Sequence, residues 1–242
     1  MRCRTAWLIS TALVVVLIGA LGSAHATGVG VLGSRSLGSF NNVGSASAPA
    51  IITCDDFSRA ASTGTALNLR PVQTPAICGS TTAWATNLGT WSISSGQLAA
   101  TTTNATATVN AGLTDVSAEA TVVGANGTSR IAGVAINHTG GTRIYLAAAL
   151  SGPGTAQLLL VNGNTVSTLT SATATITATT VVRITRVGAA VTVSVNGALV
   201  ISFTLSAGNV TTLSGGTRTG LYWNSGTTIR FTNFLVTQAS TP

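Results

Sequence analysis

The chain has 242 residues, of which 45% are hydrophobic and only 6% charged; its formal net charge is +7, and its composition includes four Asp and Glu residues in all. That length suits one domain with a sizeable core. A thin, scattered basic charge argues against a nucleic-acid interface, which gathers its cations on one face, and four carboxylates leave little material for acid–base catalysis.

Met1-Arg2-Cys3-Arg4 is a short basic start, Ala12–Leu21 is an apolar run, and Ala24-His25-Ala26 fits a small-x-small cleavage site. Together these predict a secretory signal peptide over residues 1–26. An uncleaved anchor is the alternative, for which Trp7–Leu21 falls short of a span of about 20 residues. No later stretch is apolar for long enough to cross a bilayer, so the mature protein is expected to be exported and soluble, outside the cell or at its surface. Once Arg2 and Arg4 are removed, nine arginines and no lysine face Asp55, Asp56, Asp115 and Glu119, a net charge of +5. Residues 27–49 are rich in Gly, Ser and Ala without periodicity, which predicts a flexible leader. The folded domain is expected over residues 50–238.

Ala50–Thr53 reads as an edge strand entering that domain. Cys54 and Cys78 are an even pair in an oxidising compartment, so a disulfide is expected between them. Closing that loop would stabilise the fold by roughly 3 kcal/mol on the chain-entropy estimate. A metal-binding or catalytic thiol has no Cys/His cluster to join, since His138 is the one histidine beyond the signal. Trp84 and Trp91 are large apolar side chains that call for burial. Two short strands then meet at a tight turn around Gly96.

Strands follow at Ala105–Asn110, Val116–Val122, Arg130–His138, Thr142–Leu150, Ala156–Val161 and Thr165–Leu169, the last two joined at Asn162-Gly163. Val191, Val193 and Val195 alternate with Thr192 and Ser194, and Leu199, Ile201, Phe203 and Leu205 repeat the pattern beyond Asn196-Gly197. Period-2 alternation on both sides of an Asn-Gly pair predicts a hairpin, because both residues tolerate positive φ. Arg218–Trp223 and Thr228–Val236 close the domain. No segment sustains an i, i+3, i+4, i+7 apolar stripe, and the threonine-rich pieces disfavour helix. The expected fold is all-β, an antiparallel β-sandwich of the jelly-roll kind.

The order of motifs supports a more specific statement. Asp55-Asp56-Phe57-Ser58-Arg59 opens the domain. Gly89-Thr90-Trp91-Ser92-Ile93 and Gly96-Gln97-Leu98 follow, Val191–Val195 runs into Asn196-Gly197, and Gly220-Leu221-Tyr222 with Phe231-Thr232-Asn233-Phe234-Leu235-Val236 ends it. This order resembles the concanavalin A-like lectin/glucanase superfamily, specifically the laminin-G-like jelly rolls of bacterial secreted proteins and phage tail proteins. The resemblance covers about Asp55 to Val236. It implies two curved antiparallel sheets, the concave one being where relatives hold sugars; some relatives hydrolyse glycans, and some laminin-G-like members hold calcium at the rim. These are motifs of architecture and not of activity.

Glycoside hydrolysis needs two carboxylates flanking the scissile bond. Glu119 is the only glutamate, with Asp115 near the start of its strand and Asp55 and Asp56 at the domain entry, so no acid/base pair can be assembled. Calcium would find Asp55, Asp56 and backbone carbonyls. The competing reading has Asp56 satisfying backbone N–H groups in the first turn while Asp55 faces solvent. His138 falls in an apparent hairpin turn without a nucleophile elbow, and is expected to be solvated.

Sugar recognition needs an aromatic face together with amide, hydroxyl or guanidinium donors. The candidates are Trp223, Tyr145, Arg143, Asn137 and Asn224. Arg143 and Tyr145 have the same parity and share one face, whereas Tyr222 and Trp223 point to opposite faces. Trp223, where a strand meets a polar turn, leads the set, with core packing as its alternative role. The sequence therefore predicts an exported, non-catalytic carbohydrate-binding module whose partner is a glycan or cell-surface polysaccharide. A structural or adhesion module packing through its sheets is the alternative, and a degenerate glycoside hydrolase the third reading. No cofactor is called for beyond the calcium alternative.

Overall fold

The computed structural model describes residues 48–58, 67, 82–226 and 228–239, which fall within the compact unit Ala46–Pro242. The predicted signal peptide and most of the leader lie outside the described residues, as does Cys78, the expected partner of Cys54. In chain order the strands are β1 (Ile51–Asp55), β2 (Ala85–Leu88), β3 (Trp91–Ser94), β4 (Gln97–Ala100), β5 (Ala105–Asn110), β6 (Val116–Val123), β7 (Ile131–His138) and β8 (Ile144–Ser151). They continue as β9 (Thr155–Asn162), β10 (Thr165–Thr173), β11 (Thr179–Val187), β12 (Ala190–Val195), β13 (Ala198–Thr204), β14 (Arg218–Ser225) and β15 (Arg230–Gln238). One helix, α1 (Ala207–Leu213), links β13 to β14.

Two antiparallel sheets form a sandwich. The first runs β13-β12-β11-β6-β15-β4-β3, with β1 also paired to β15; the second runs β10-β9-β8-β7-β14-β5-β2. The chain enters the second sheet at β2, returns to the first for β3 and β4, rejoins the second at β5, crosses to β6, returns for β7–β10, crosses again for β11–β13, and ends with β14 in one sheet and β15 in the other. This alternation places β14 and β15 in opposite layers, near the middle of each. The predicted all-β jelly roll is therefore the observed fold.

Local chemistry explains the elements. Asn196 and Gly197, at φ 51° and 82°, form the two-residue turn between β12 and β13, the left-handed pair that matches strand twist. The β9–β10 turn falls on Gly163-Asn164, one residue later than the sequence suggested. The helix was not predicted, because seven residues with only Leu213 buried are too short to show a stripe. Ser206 caps it by accepting the Asn209 N–H at 3.2 Å, a local signal that threonine-rich context hid. Among the described residues no helix is long and apolar enough to cross a membrane.

The core lies between the layers. As predicted, Trp84 and Trp91 are fully buried. Trp84 sits between Phe57 and Phe234, with ring centroids 5.9 and 5.1 Å away, and Trp91 packs against Trp223 and Phe231 at 6.4 and 6.3 Å. Strand β6 alternates buried and half-buried residues along its length, so one of its faces meets solvent. In β7 and β8, by contrast, nearly every residue is buried. The far side of the second sheet thus carries its own buried cluster, built from Ala135, Tyr145, Ala147, Ala149, Leu159, Val161 and Tyr222.

Candidate functional site

The sequence-predicted site residues divide between two places. At one end of the sandwich, where β3 and β4 approach the end of β14 and the start of β15, a depression of about 220 Å³ opens to solvent. Ser92, Thr102, Thr103, Ser225, Arg230 and Trp223 are among its lining residues. Trp223 belongs to the core and is only 5% exposed. It therefore forms the wall of the depression, and its rings are not presented as a stacking platform, which corrects the leading sequence expectation. The reason is parity: Leu221 and Trp223 point inward from β14, and Trp91 meets the indole edge-on. The Trp223 indole N–H is buried without a hydrogen-bond partner, an uncommon state for a buried donor.

The second place is the outer face of the second sheet. Tyr222 and Trp223 do point to opposite faces, and Tyr222 joins Tyr145 there with ring centroids 6.1 Å apart. His138 lies parallel to Tyr145, at 5.0 Å and 12°. The expectation of a solvated turn histidine is wrong: His138 is fully buried at the end of β7. Asn137 explains this, because it takes a left-handed conformation (φ 56°), and the register between β7 and β14 shifts beside it. The resulting bulge re-aims the next side chain onto the outer face. Sequence parity alone could not show it.

Charge surrounds these rings. Arg218 is the cross-strand partner of His138, and it is held by Thr108 through hydrogen bonds of 2.8 Å to Oγ1 and 3.1 Å to the carbonyl oxygen. Arg143 donates to Asn164 Oδ1 at 3.1 Å. Burial, then Arg218 and Arg143, lower the His138 pKa to about 4. Burial, with the neighbouring Tyr145, pushes Tyr222 up to about 12, and burial raises Tyr145 as well. At neutral pH all three rings are uncharged. The His138 Nδ1 accepts the Gly140 N–H at 2.9 Å, so the proton of the neutral ring sits on Nε2.

The other candidates have structural duties. Asn137 Nδ2 donates to the carbonyls of Thr114 and Gly216, at 2.9 and 3.1 Å, and its side chain is buried. It ties three loops together. Asn224 is half-buried, and its carbonyl accepts the Asn104 N–H. Asp55 does not face solvent as expected. It is 2% exposed, and its two oxygens accept from the Phe57 N–H at 2.8 Å and the Trp84 indole N–H at 2.7 Å. Asp56 accepts the Ser58 N–H at 3.0 Å, as anticipated for a turn aspartate. Among the described residues no three His, Cys, Asp or Glu side chains gather as a metal cluster. Asp55, Asp56 and Glu119 do line one depression of about 290 Å³, where Glu119 is paired with Arg183 at 2.8 Å.

No protein-family model matches the chain, and no characterised protein matches it in sequence. Solved structures match its fold. The GH43 protein BlXynB from Bacillus licheniformis is 14% identical with a TM-score of 0.52, over 77% of this chain and 39% of that one. A structure reported with endo-acting O-glycanases that prominent human gut bacteria use to initiate mucin breakdown is 9% identical at 0.50, over 79% of this chain and 100% of that one. The carbohydrate binding module CBM66 from Bacillus subtilis is 13% identical at 0.47, over 64% and 92%. This chain thus spans well under half of the GH43 protein. At such identities the likeness concerns architecture alone: the chain shares a two-sheet antiparallel β-sandwich with these structures.

Proposed function

We propose that the protein is an exported, non-catalytic carbohydrate-binding module that holds one sugar ring in the depression walled by Trp223. The carrying observation is the make-up of that depression. The edge of the Trp223 side chain, the Arg230 guanidinium and several hydroxyls line a space of about 220 Å³ that is open to solvent. Its volume is below the roughly 300–1,000 Å³ of pockets that enclose larger ligands, which suits a single ring of a polysaccharide. Fold-level likeness to a structure reported with endo-acting O-glycanases agrees with the reading. Glu119 is neutralised by Arg183, and Asp55 is consumed by backbone and indole donors, which weighs against glycoside hydrolysis.

The test is binding to a panel of bacterial and plant polysaccharides. Trp223→Ala would remove core volume at a cost of about 3–5 kcal/mol, so Trp223→Phe and Arg230→Gln are the better variants. Saturable binding weakened by both, with the melting temperature retained, supports the reading; no binding to any polysaccharide overturns it.

A second reading, a packing module, is favoured by β10. This nine-residue strand is the outer edge of its sheet, carries no charge or proline, and exposes Val166 at 46%. Monomeric proteins usually guard such an edge. Sedimentation decides: concentration-dependent association abolished by Thr168→Lys would support packing through β10, and a monomer at all concentrations would exclude it.

A further inference from the structure

The outer face of the second sheet gathers buried polar groups with unfilled hydrogen-bonding capacity and no carboxylate among them. The His138 Nε2 and the Tyr222 and Thr106 hydroxyls are buried without a partner, while the Arg143 guanidinium hydrogen-bonds the Tyr145 hydroxyl beside them. Tyr222 is the cross-strand neighbour of Thr106, and Tyr145 lies between His138 and Tyr222, so the five belong to one surface. Because His138 Nδ1 already accepts from Gly140, its free Nε2 carries the hydrogen and is a donor. Arg143 Nε is a donor by nature. Buried donors left unpaired are costly, and a cluster of them marks a missing acceptor.

Charge selects which acceptor. The whole sequence holds four Asp and Glu side chains, and each is engaged elsewhere. Asp55 binds Trp84 and Phe57, Asp56 binds Ser58, Asp115 accepts the Gly188 N–H at 3.0 Å, and Glu119 binds Arg183. No side-chain carboxylate serves Arg143 or Arg218. Two guanidinium groups with no counter-ion beside at least two neutral donors describe a site short of negative charge.

We propose that this face, centred on Arg143, His138, Tyr145 and Tyr222, binds an oxyanion: the carboxylate of an acidic sugar or a free phosphate-type ion. The site is separate from the Trp223 depression and does not rest on the glycan reading made for it. Neutral His138 donates through Nε2 without adding charge, while the arginines supply the attraction.

The experiment is calorimetry and thermal shift on the full protein with galacturonate, inorganic phosphate and neutral galactose, each against sodium chloride of matched ionic strength. Galacturonate or phosphate, or both, is expected to bind and raise the melting temperature, while galactose and chloride do not. Binding of galacturonate alone identifies an acidic-sugar site, and binding of phosphate alone a free-anion site; either supports the proposal. Arg143→Gln is expected to weaken the effective anion about tenfold or more, the scale of one charge-assisted hydrogen bond. Tyr222→Phe, which keeps the ring and removes one hydroxyl, should weaken it several-fold while the protein stays folded. Equal responses to galacturonate, galactose and chloride, or anion binding untouched by both variants, would overturn the proposal. Polysaccharide binding sensitive to Trp223→Phe but not to Arg143→Gln would leave the Trp223 reading standing alone.

Discussion

His138 stacks flat on Tyr145, ring centroids 5.0 Å apart and planes 12° from parallel, on the outer face of the second sheet. The pair joins β7 to β8 at the point where a left-handed Asn137 bends β7.

Protonating His138 opposes folding. Its pKa is about 4 in the folded protein against an ordinary 6.5, so the unfolded chain binds the extra proton between those values and stability rises with pH across that window. The contribution is complete above pH 6.5 and is lost as pH falls toward 4, amounting to about 3 kcal/mol at most. Melting temperatures measured from pH 4 to 7.5 should show this slope, and His138→Gln should flatten it. A wild-type slope unchanged in the variant would remove His138 as its source.

Asn137 anchors loops through its side-chain amide. Asn137→Ala strands the carbonyls of Thr114 and Gly216 and forces a left-handed alanine, which together should cost about 2–4 kcal/mol. Asn137→Gly should recover the backbone share only. Denaturant titration of the two variants separates these parts, and a stability change below 0.5 kcal/mol (about the noise of a surface substitution) in the alanine variant would refute the anchoring role.

Asp55 is expected to matter to folding and to be indifferent to calcium. Its two acceptors serve a buried indole N–H and a backbone N–H. Asp55→Ala should thus destabilise by about 3 kcal/mol, since hydrogen bonds to a charged acceptor are lost and two donors are left buried. Chelation, or added millimolar calcium, should leave the wild-type melting temperature unchanged; a rise with calcium that Asp56→Asn abolishes would restore the metal alternative.

The Glu119–Arg183 pair crosses from β6 to β11 on an exposed face, with Arg183 51% exposed. Solvent screens it, so Glu119→Gln should cost less than about 1 kcal/mol, and less again at high salt. Loss of polysaccharide binding in this variant, with its fold intact, would reopen the hydrolase reading, because Glu119 shares a depression with Asp55 and Asp56.

The sequence by itself determined the class of fold, the Asn196-Gly197 hairpin, the burial of Trp84 and Trp91, and the opposed directions of Tyr222 and Trp223. Each depends on a local rule of period, turn chemistry or side-chain size, and such rules operate within a few residues. Which way the sheets face was not local. In β7 and β8 both parities are apolar, IAGVAINH and IYLAAALS, so alternation could not tell core from outer face. A strand with one solvated face, such as β6, does reveal it. Only the tertiary structure decided that Trp223 is wall and not platform, that Asp55 turns inward to Trp84, and that His138 leaves its turn to stack on Tyr145. Those outcomes depend on a bulge and on cross-strand partners far away in sequence, and a side chain's burial is a property of what the rest of the chain brings against it.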